Sequence, residues 1–423
     1  MPRTLASAVP ASALAVTSTF PADFVAVTWV GAHGDAQVRF RHGGSWSPWE
    51  AMGEDGVEEP GKFGSALVPA HHAEAYQVRV PGGTRNARTV AINTTDGPTT
   101  TTTAAPAATS TTATATSSPV YVSRAQWGAD ESLGFDATGN EIWPAEYFPA
   151  QKLTVHHTAT TNGDPDPAAT VRAIYRYHAI DRGWGDIGYQ FLVDEAGHVY
   201  EGRHTDGDPG TPMGFDGAGR AVVGAHVAGW NSGNVGISLL GTLTDRRPTA
   251  GAQRGLEQLL AALAARTGIG PTGSGTYTNP VSGSTWTGPN IPGHRDFAAT
   301  ECPGGITYAL LPTIRQRVAA RMAGTLVEDT TPPVISSVRT VPSGTTATLT
   351  WTTAKDRSDS QVQYWRKATP AGVTTTPLDL RFVEAHRVVL SGLRRGTAYG
   401  YRVVSVDVAG NPRMSATAYV TVP

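Results

Sequence analysis

The stretch "KLTVHHT", residues 152–158, decides the fold. An apolar run that closes on two adjacent histidines reads as a buried strand ending in polar residues. Next comes "DPAATVRAIYRYHAI" (166–180), with Asp166 placed as N-cap and Pro167 at the first helical position. Its apolar positions Val171, Ile174, Tyr175 and His178 fall at i, i+3, i+4 and i+7, which predicts a helix. The pattern then returns to strands, "GYQFLVD" (188–194) and "HVYEG" (198–202), around the turn residues "EAG". A strand "NVGISLLG" (234–241), a helix "QRGLEQLLAALAART" (253–267) stopped by Gly268, and a helix "TYALLPTIRQRVAARMAG" (307–324) complete the set. Alternating sheet and helix predicts an α/β layered domain over 120–325.

Outward from this domain the composition changes twice. The tract "TTDGPTTTTTAAPAATSTTATATSSP" (94–119) has no charge after Asp96 and no large apolar side chain, so it cannot offset its own chain entropy and reads as an extended linker. The second change is at "VEDTTPPVIS" (327–336), where a Pro pair ends the helical pattern. A length of 423 residues accommodates about three domains. The expected organisation is a tail or degenerate signal segment over 1–16, a small all-β domain over 17–93, the linker, the α/β domain, and a β-sandwich over 332–423.

The 17–93 region alternates in the short runs "FVAVTWV" (24–30), "AQVRFRH" (36–42) and "YQVRV" (76–80). Trp46 and Trp49 in "GSWSPWE" are read as half-buried core or turn aromatics, with stacking on sugar rings as the rival role. The last region carries "ATLTW" (347–351), "QVQYWR" (361–366), "RVVLSGL" (387–393) and "YGYRVVSVDVAGN" (399–411). Its strand tryptophan Trp351, the tyrosine in "LSGLRRGTAYGYRV" and the closing "VDVAGN" resemble a fibronectin type III domain, which implies a spacing or adhesion role.

Bulk numbers exclude some functions. A net charge of −2 with 16% charged residues provides no basic field for a phosphate backbone, so nucleic acid is not an expected partner. No run approaches the apolar length of a membrane span. Separate modules on linkers make a monomer the default.

The single cysteine, Cys302, lies in "IPGHRDFAATECPG" (291–304), eight residues after His294. A lone cysteine is most often a small buried hydrophobe. Two histidines and one cysteine are also the donor set of a catalytic zinc that keeps its fourth position open. His156 and His157 at the strand end make such a set available, and spacing alone does not choose between the readings.

The ordered blocks "VSRAQWGAD" (122–130), "LTVHHTAT" (153–160), "GWGDIGYQFLVDEAGHVYEGR" (183–203), "VVGAHVAGWNSGNVGISLLG" (222–241) and "GHRDFAATECPG" (293–304) resemble the peptidoglycan recognition protein and type 2 N-acetylmuramoyl-L-alanine amidase family. The resemblance implies a mixed β-sheet surrounded by helices. It implies one Zn²⁺ held by His156, His294 and Cys302, with Tyr189 as the catalytic tyrosine. Substrate positions implied are His157, Trp184, His226, Asn231 and Thr300. The activity implied is hydrolysis of the amide between the MurNAc lactyl group and L-alanine of peptidoglycan or muramyl-peptides, at an extracellular or cell-wall location. The alternative is a recognition protein that binds peptidoglycan without cutting it, and retention of the cysteine argues against that. Gln190, where many members have asparagine, and the insert "GPTGSGTYTNPVSGSTWTGPN" (270–290) depart from the family pattern. Asp130, Glu131 and Arg203 are expected in salt bridges, Asp296 and Glu301 in loop structure, and His178 in the core.

Overall fold

The computed structural model describes the chain except for residues 1–2, 9–15, 32–35, 53, 58–61, 66, 95–118 and 206–212. Apart from its ends, the linker expected over 94–119 thus lies outside the described residues. So does most of the tail expected over 1–16, within which Arg3–Ala8 is a strand paired with Arg85–Asn93. The described chain divides into two compact units, Met1–Arg247 with Gly255–Thr325, and Pro248–Arg254 with Leu326–Pro423.

In the first unit the five-stranded sheet of the α/β domain runs in the order Tyr121–Val122, Val199–Glu201, Phe191–Val193, Asn234–Leu239, Lys152–His157. Phe191–Val193 and Lys152–His157 both lie parallel to Asn234–Leu239, whereas Val199–Glu201 is antiparallel to Phe191–Val193, so the sheet is mixed. Every residue of Lys152–His157 is buried, which explains why the strand reads as a continuous apolar run rather than an alternation. Its outer edge is covered by the chain leading into His294: Leu153 N–H donates to Asn290 O at 3.1 Å and Val155 N–H to Pro292 O at 2.9 Å. That pairing delivers His294 to the strand end that carries His156.

The helix Pro167–Arg176 starts as the sequence predicts, with Asp166 accepting from Ala169 N–H and Val171, Ile174 and Tyr175 buried. Beyond Arg176 the chain widens into a π-helical turn, Tyr177–Asp181, which encloses a buried His178. The C-terminal helix of this unit, Gly305–Met322, starts after Gly304. Gly304 sits at φ +91°, and a Cβ there would run into Leu243 O, so the entry to this helix requires glycine. The 270–290 insert is a hairpin, Ser274–Thr278 with Thr285–Pro289. Lys152, 1% exposed, anchors it by donating from Nζ to the carbonyls of Gly275 (2.8 Å), Gly288 (3.0 Å) and Pro289 (3.2 Å).

The N-terminal strands Arg3–Ala8, Arg85–Asn93, Val16–Val30, Val68–Arg79, Gln37–His42 and Ser45–Trp46 form one sheet in that order. Its Phe24, Ala26, Leu67, Val90 and Ile92 belong to the same apolar cluster as Trp127, Val171, Ile174, Tyr189 and Leu240 of the α/β domain. Burying such side chains stabilises by about 1.5–3 kcal/mol each. Sheet and α/β domain therefore share a core where the sequence suggested two tethered modules. Arginines occupy the faces of Trp46 and Trp49: the Arg39 guanidinium lies 4.9 Å and 4.8 Å from the two rings, and Arg79 lies 3.8 Å from Trp49.

In the second unit the strands Ser336–Ser343, Thr346–Thr352 and Ala385–Leu390 make one sheet, and Ser358–Arg366 with Ala398–Val406 centre another. Trp351, 1% exposed, donates from Nε1 to Ser405 Oγ at 2.9 Å, and Tyr399 Oη accepts from Arg394 N–H at 3.0 Å.

Candidate metal centre

His156 is the penultimate residue of its strand, His294 opens a short 3₁₀ turn, His294–Asp296, and Cys302 lies in the loop that leads into the helix Gly305–Met322. One ligand atom from each converges so that all lie within 4.8 Å of one another, and all three residues are buried. His156 Nδ1 faces Cys302 Sγ at 3.6 Å, and the rings of His156 and His294 are centred 4.6 Å apart. Hydrogen bonds hold the loop in shape. Arg295 N–H donates to Cys302 O at 3.0 Å, Cys302 N–H to Thr300 Oγ1 at 3.2 Å, and Gly293 N–H to Asp296 Oδ2 at 2.8 Å. Tyr308 Oη also donates to Asp296 Oδ1, at 2.6 Å, so Asp296 has the structural loop role expected of it.

The electrostatics suit a cation. Burial, reinforced by His294, His226 and His157, holds the His156 imidazole well below its ordinary value, so it is neutral at pH 7 with a lone pair to give. His226 is pushed down to about 3, again chiefly by burial, against the opposing pull of the Asn234 carbonyl. His157 N–H points at Cys302 Sγ, 3.3 Å away, a donor that favours the thiolate. Two imidazoles and a thiol at this spacing fit the tetrahedral N/S preference of zinc.

The remaining expected site residues fall into two groups. Tyr189 packs its ring 5.4 Å from that of His156, and beyond it His178 and the half-buried Trp184 continue a line of rings at spacings of 5.8 Å and 4.6 Å. His178 is buried, as expected, with Nδ1 accepting from Gly188 N–H at 3.1 Å. The others make hydrogen bonds within the protein. The ring of His157 lies across the strand from His156, and its Nδ1 accepts from Leu243 N–H at 3.1 Å. Asn231 Oδ1 accepts from the backbone N–H of His226 at 2.9 Å and of Val227 at 2.8 Å. Thr300 supports the backbone of Cys302, as above. His226 is 6% exposed and lies behind His156, with Nδ1 3.0 Å from His156 Nε2. The family resemblance implies a substrate position for His226; in this structure both of its ring nitrogens are engaged within the protein. Gln190, buried, accepts from Gly236 N–H at 2.6 Å and donates to Val222 O at 2.7 Å, so the departure from asparagine is absorbed in a backbone clamp.

Arg203 and Arg124 share Asp186 at 2.8 Å and 2.9 Å, and Arg124 also pairs with Glu131 at 2.7 Å, which gives Arg203 and Glu131 the salt-bridge roles expected. Asp130 instead accepts from Ser132 N–H and Oγ–H.

The profile of the N-acetylmuramoyl-L-alanine amidase family matches residues 146–305, a span that holds all of these ligand candidates. Residues 334–421 match the profile of the purple acid phosphatase N-terminal domain, which is the likeness found for the second unit in place of fibronectin type III. A human N-acetylmuramoyl-L-alanine amidase is 32% identical over 203 residues, 46% of this chain and 28% of the human protein. The chain thus spans little more than a quarter of that relative. Peptidoglycan-recognition protein SC2 of Drosophila melanogaster is 31% identical over 186 residues, covering 43% of this chain and 79% of that protein. Among solved structures, Drosophila PGRP-LB is 26% identical at a TM-score of 0.33, covering 45% of this chain and 92% of the other. With close to four fifths of a recognition protein matched at this identity, the chain belongs to the peptidoglycan recognition protein and N-acetylmuramoyl-L-alanine amidase family.

Proposed function

We propose that this protein is a zinc-dependent amidase that hydrolyses the bond between the MurNAc lactyl carbonyl and the L-alanine nitrogen of the peptidoglycan stem. One observation carries the reading: the donor atoms of His156, His294 and Cys302 converge in a buried position against the ring of Tyr189. A chain that only recognised peptidoglycan would not need a thiol converging with two imidazoles.

Zinc held by such a set supplies an activated water and a polarised carbonyl near neutral pH. The chain's own residues do the rest. His156 stays neutral, and His157 N–H offsets charge on the Cys302 sulfur. In this reading Tyr189 donates from its phenol to the oxyanion that develops on the lactyl carbonyl. Trp184, half-buried at the outer end of the ring series between His178 and the Arg182 guanidinium, would meet the muramyl-peptide with its remaining exposed apolar surface.

The substrate places the work outside the cytoplasm or at the cell wall, and no helix among the described residues is long and apolar enough to cross a membrane. The Thr-rich tract and the second unit serve as spacers in this reading, the latter with a fibronectin-like fold.

Zinc stoichiometry of the purified chain, with mass spectrometry of products released from peptidoglycan with and without a chelator, tests the proposal. One zinc per chain and chelator-sensitive release of peptides with a free L-alanine amino terminus are expected. Wall binding without zinc or cleavage would replace it with recognition alone.

A further inference from the structure

We propose that His226 is a positioning residue that fixes His156 in the tautomer whose Nδ1 is free for the metal, and that Gly236 is there to make room for it. The inference rests on the zinc reading above and concerns how this chain prepares its ligand.

The proton directions follow from the acceptors. His226 Nε2 lies 3.1 Å from Asn234 O, and a carbonyl oxygen only accepts, so Nε2 carries the hydrogen. A neutral imidazole has one N–H, which leaves His226 Nδ1 as an acceptor. That atom is 3.0 Å from His156 Nε2, so His156 must donate there. The lone pair of His156 is therefore on Nδ1, the nitrogen that faces Cys302 Sγ at 3.6 Å. Metal-bound histidines generally give their second N–H to a carboxylate, carbonyl or water. Here a second imidazole takes that part and passes the constraint to a main-chain carbonyl.

The placement of His226 is built from two further residues. Asn231 Oδ1 grips the N–H groups of His226 and Val227 and so fixes the loop. On the strand beneath, the His226 ring lies directly against Gly236, where a Cβ would come within 2.5 Å of ring carbons. Any larger residue at 236 would push the ring off its partner. The two rings meet edge to face, with centroids 5.0 Å apart and planes at 87°. Both ring nitrogens of His226 are occupied inside the protein, so neither is left for a substrate.

The test measures zinc affinity by competition with a chromophoric chelator, and the visible spectrum of the cobalt-substituted protein, in the full chain. His226→Phe keeps the bulk and removes the acceptor, and zinc should bind about 10- to 100-fold more weakly. His226→Asn restores an acceptor oxygen near the position of Nδ1, and affinity should return to within a few-fold of the unsubstituted protein. Gly236→Ala should weaken zinc without altering any polar group, with a shifted cobalt–thiolate band. Equal zinc affinity in all these proteins overturns the proposal, and so does equal weakening by Phe and Asn, since the acceptor would then be irrelevant. Should His226→Phe fail to fold, the Asn and Gly236→Ala variants decide: the first near normal and the second weakened supports it, and any other ranking overturns it. Absence of zinc from the unsubstituted chain would instead overturn the amidase reading, and this inference with it.

Discussion

Two of the buried histidines among the described residues, His156 and His386, differ in a way that separates chemistry from architecture. In the C-terminal sandwich, His386 is 2% exposed and stacks on Trp351 with ring centroids 4.8 Å apart and planes within 5°. Its ring nitrogens are hydrogen-bonded to hydroxyls, Nδ1 to Ser360 Oγ and Nε2 to Thr353 Oγ1, both at 2.8 Å. In the α/β domain, His156 is as deeply buried, but while Nε2 meets His226, Nδ1 faces the Cys302 sulfur at 3.6 Å beside His294, three donor residues drawn together. Both imidazoles have their pKa lowered by burial. Burial and a shifted pKa are thus common to both sites, and convergence of donor atoms is what distinguishes one.

The largest expected effect comes from removing a converging donor. Cys302→Ala should abolish zinc binding and reduce amide cleavage to background, whereas His386→Gln should leave both unchanged, as metal analysis and product assays would show. Zinc retained by Cys302→Ala would put the two histidine sites on the same footing.

Next in size is Tyr189→Phe, which keeps the ring against His156 and loses the phenol. A fall in kcat of about 10²- to 10³-fold with zinc content intact is expected. A kcat within a few-fold of normal would remove the phenol from the reaction.

The structural histidine should show itself through pH. The folded state holds His386 at about 4, mainly through burial and against the pull of Asp379, while an unfolded chain titrates near 6.5. Its contribution is fully present above pH 6.5 and is lost as pH falls towards 4. Asp356, raised to about 6 by burial and by Asp407 and Asp329, acts in the opposite sense in the same window, because its protonated form is favoured by the fold. The difference between the unsubstituted chain and His386→Gln cancels the Asp356 term. Amide exchange along Thr346–Thr352, compared at pH 7 and pH 5, reads it. Parallel pH profiles in the two proteins would show that His386 is not the titrating group.

The smallest effect is expected at Trp184→Ala, which shortens the ring series without touching the metal ligands. A rise in KM of roughly tenfold, about 1.4 kcal/mol, with kcat nearly unchanged is expected if Trp184 contributes substrate contact. A matching fall in kcat would mean that it positions His178 and Tyr189 instead.

Much of the fold was legible because local rules applied. Asp166 and Pro167 marked a helix start that the structure retains, and the buried run before His156 gave a strand. The metal trio was visible only through ordered resemblance, since His156 and Cys302 are joined across the fold by the pairing of 290–293 along a strand edge, which no spacing rule encodes. The pairing of His226 with His156 was not legible, because the two lie seventy positions apart and Gly236, which admits the ring, carries no side chain to give a signal. The π-helical turn at Tyr177–Asp181 was hidden for another reason: one residue of widening barely disturbs an apolar period.

The core shared by the N-terminal sheet and the α/β domain bears on how this protein can be dissected. A fragment beginning at Val120 would hand to water the face that Phe24, Ala26, Leu67, Val90 and Ile92 now cover. Apolar surface of that kind promotes self-association. The Thr-rich tract looks like an invitation to trim the protein to its α/β domain, yet the apolar surroundings of the helix Pro167–Arg176 include side chains from the far side of that tract.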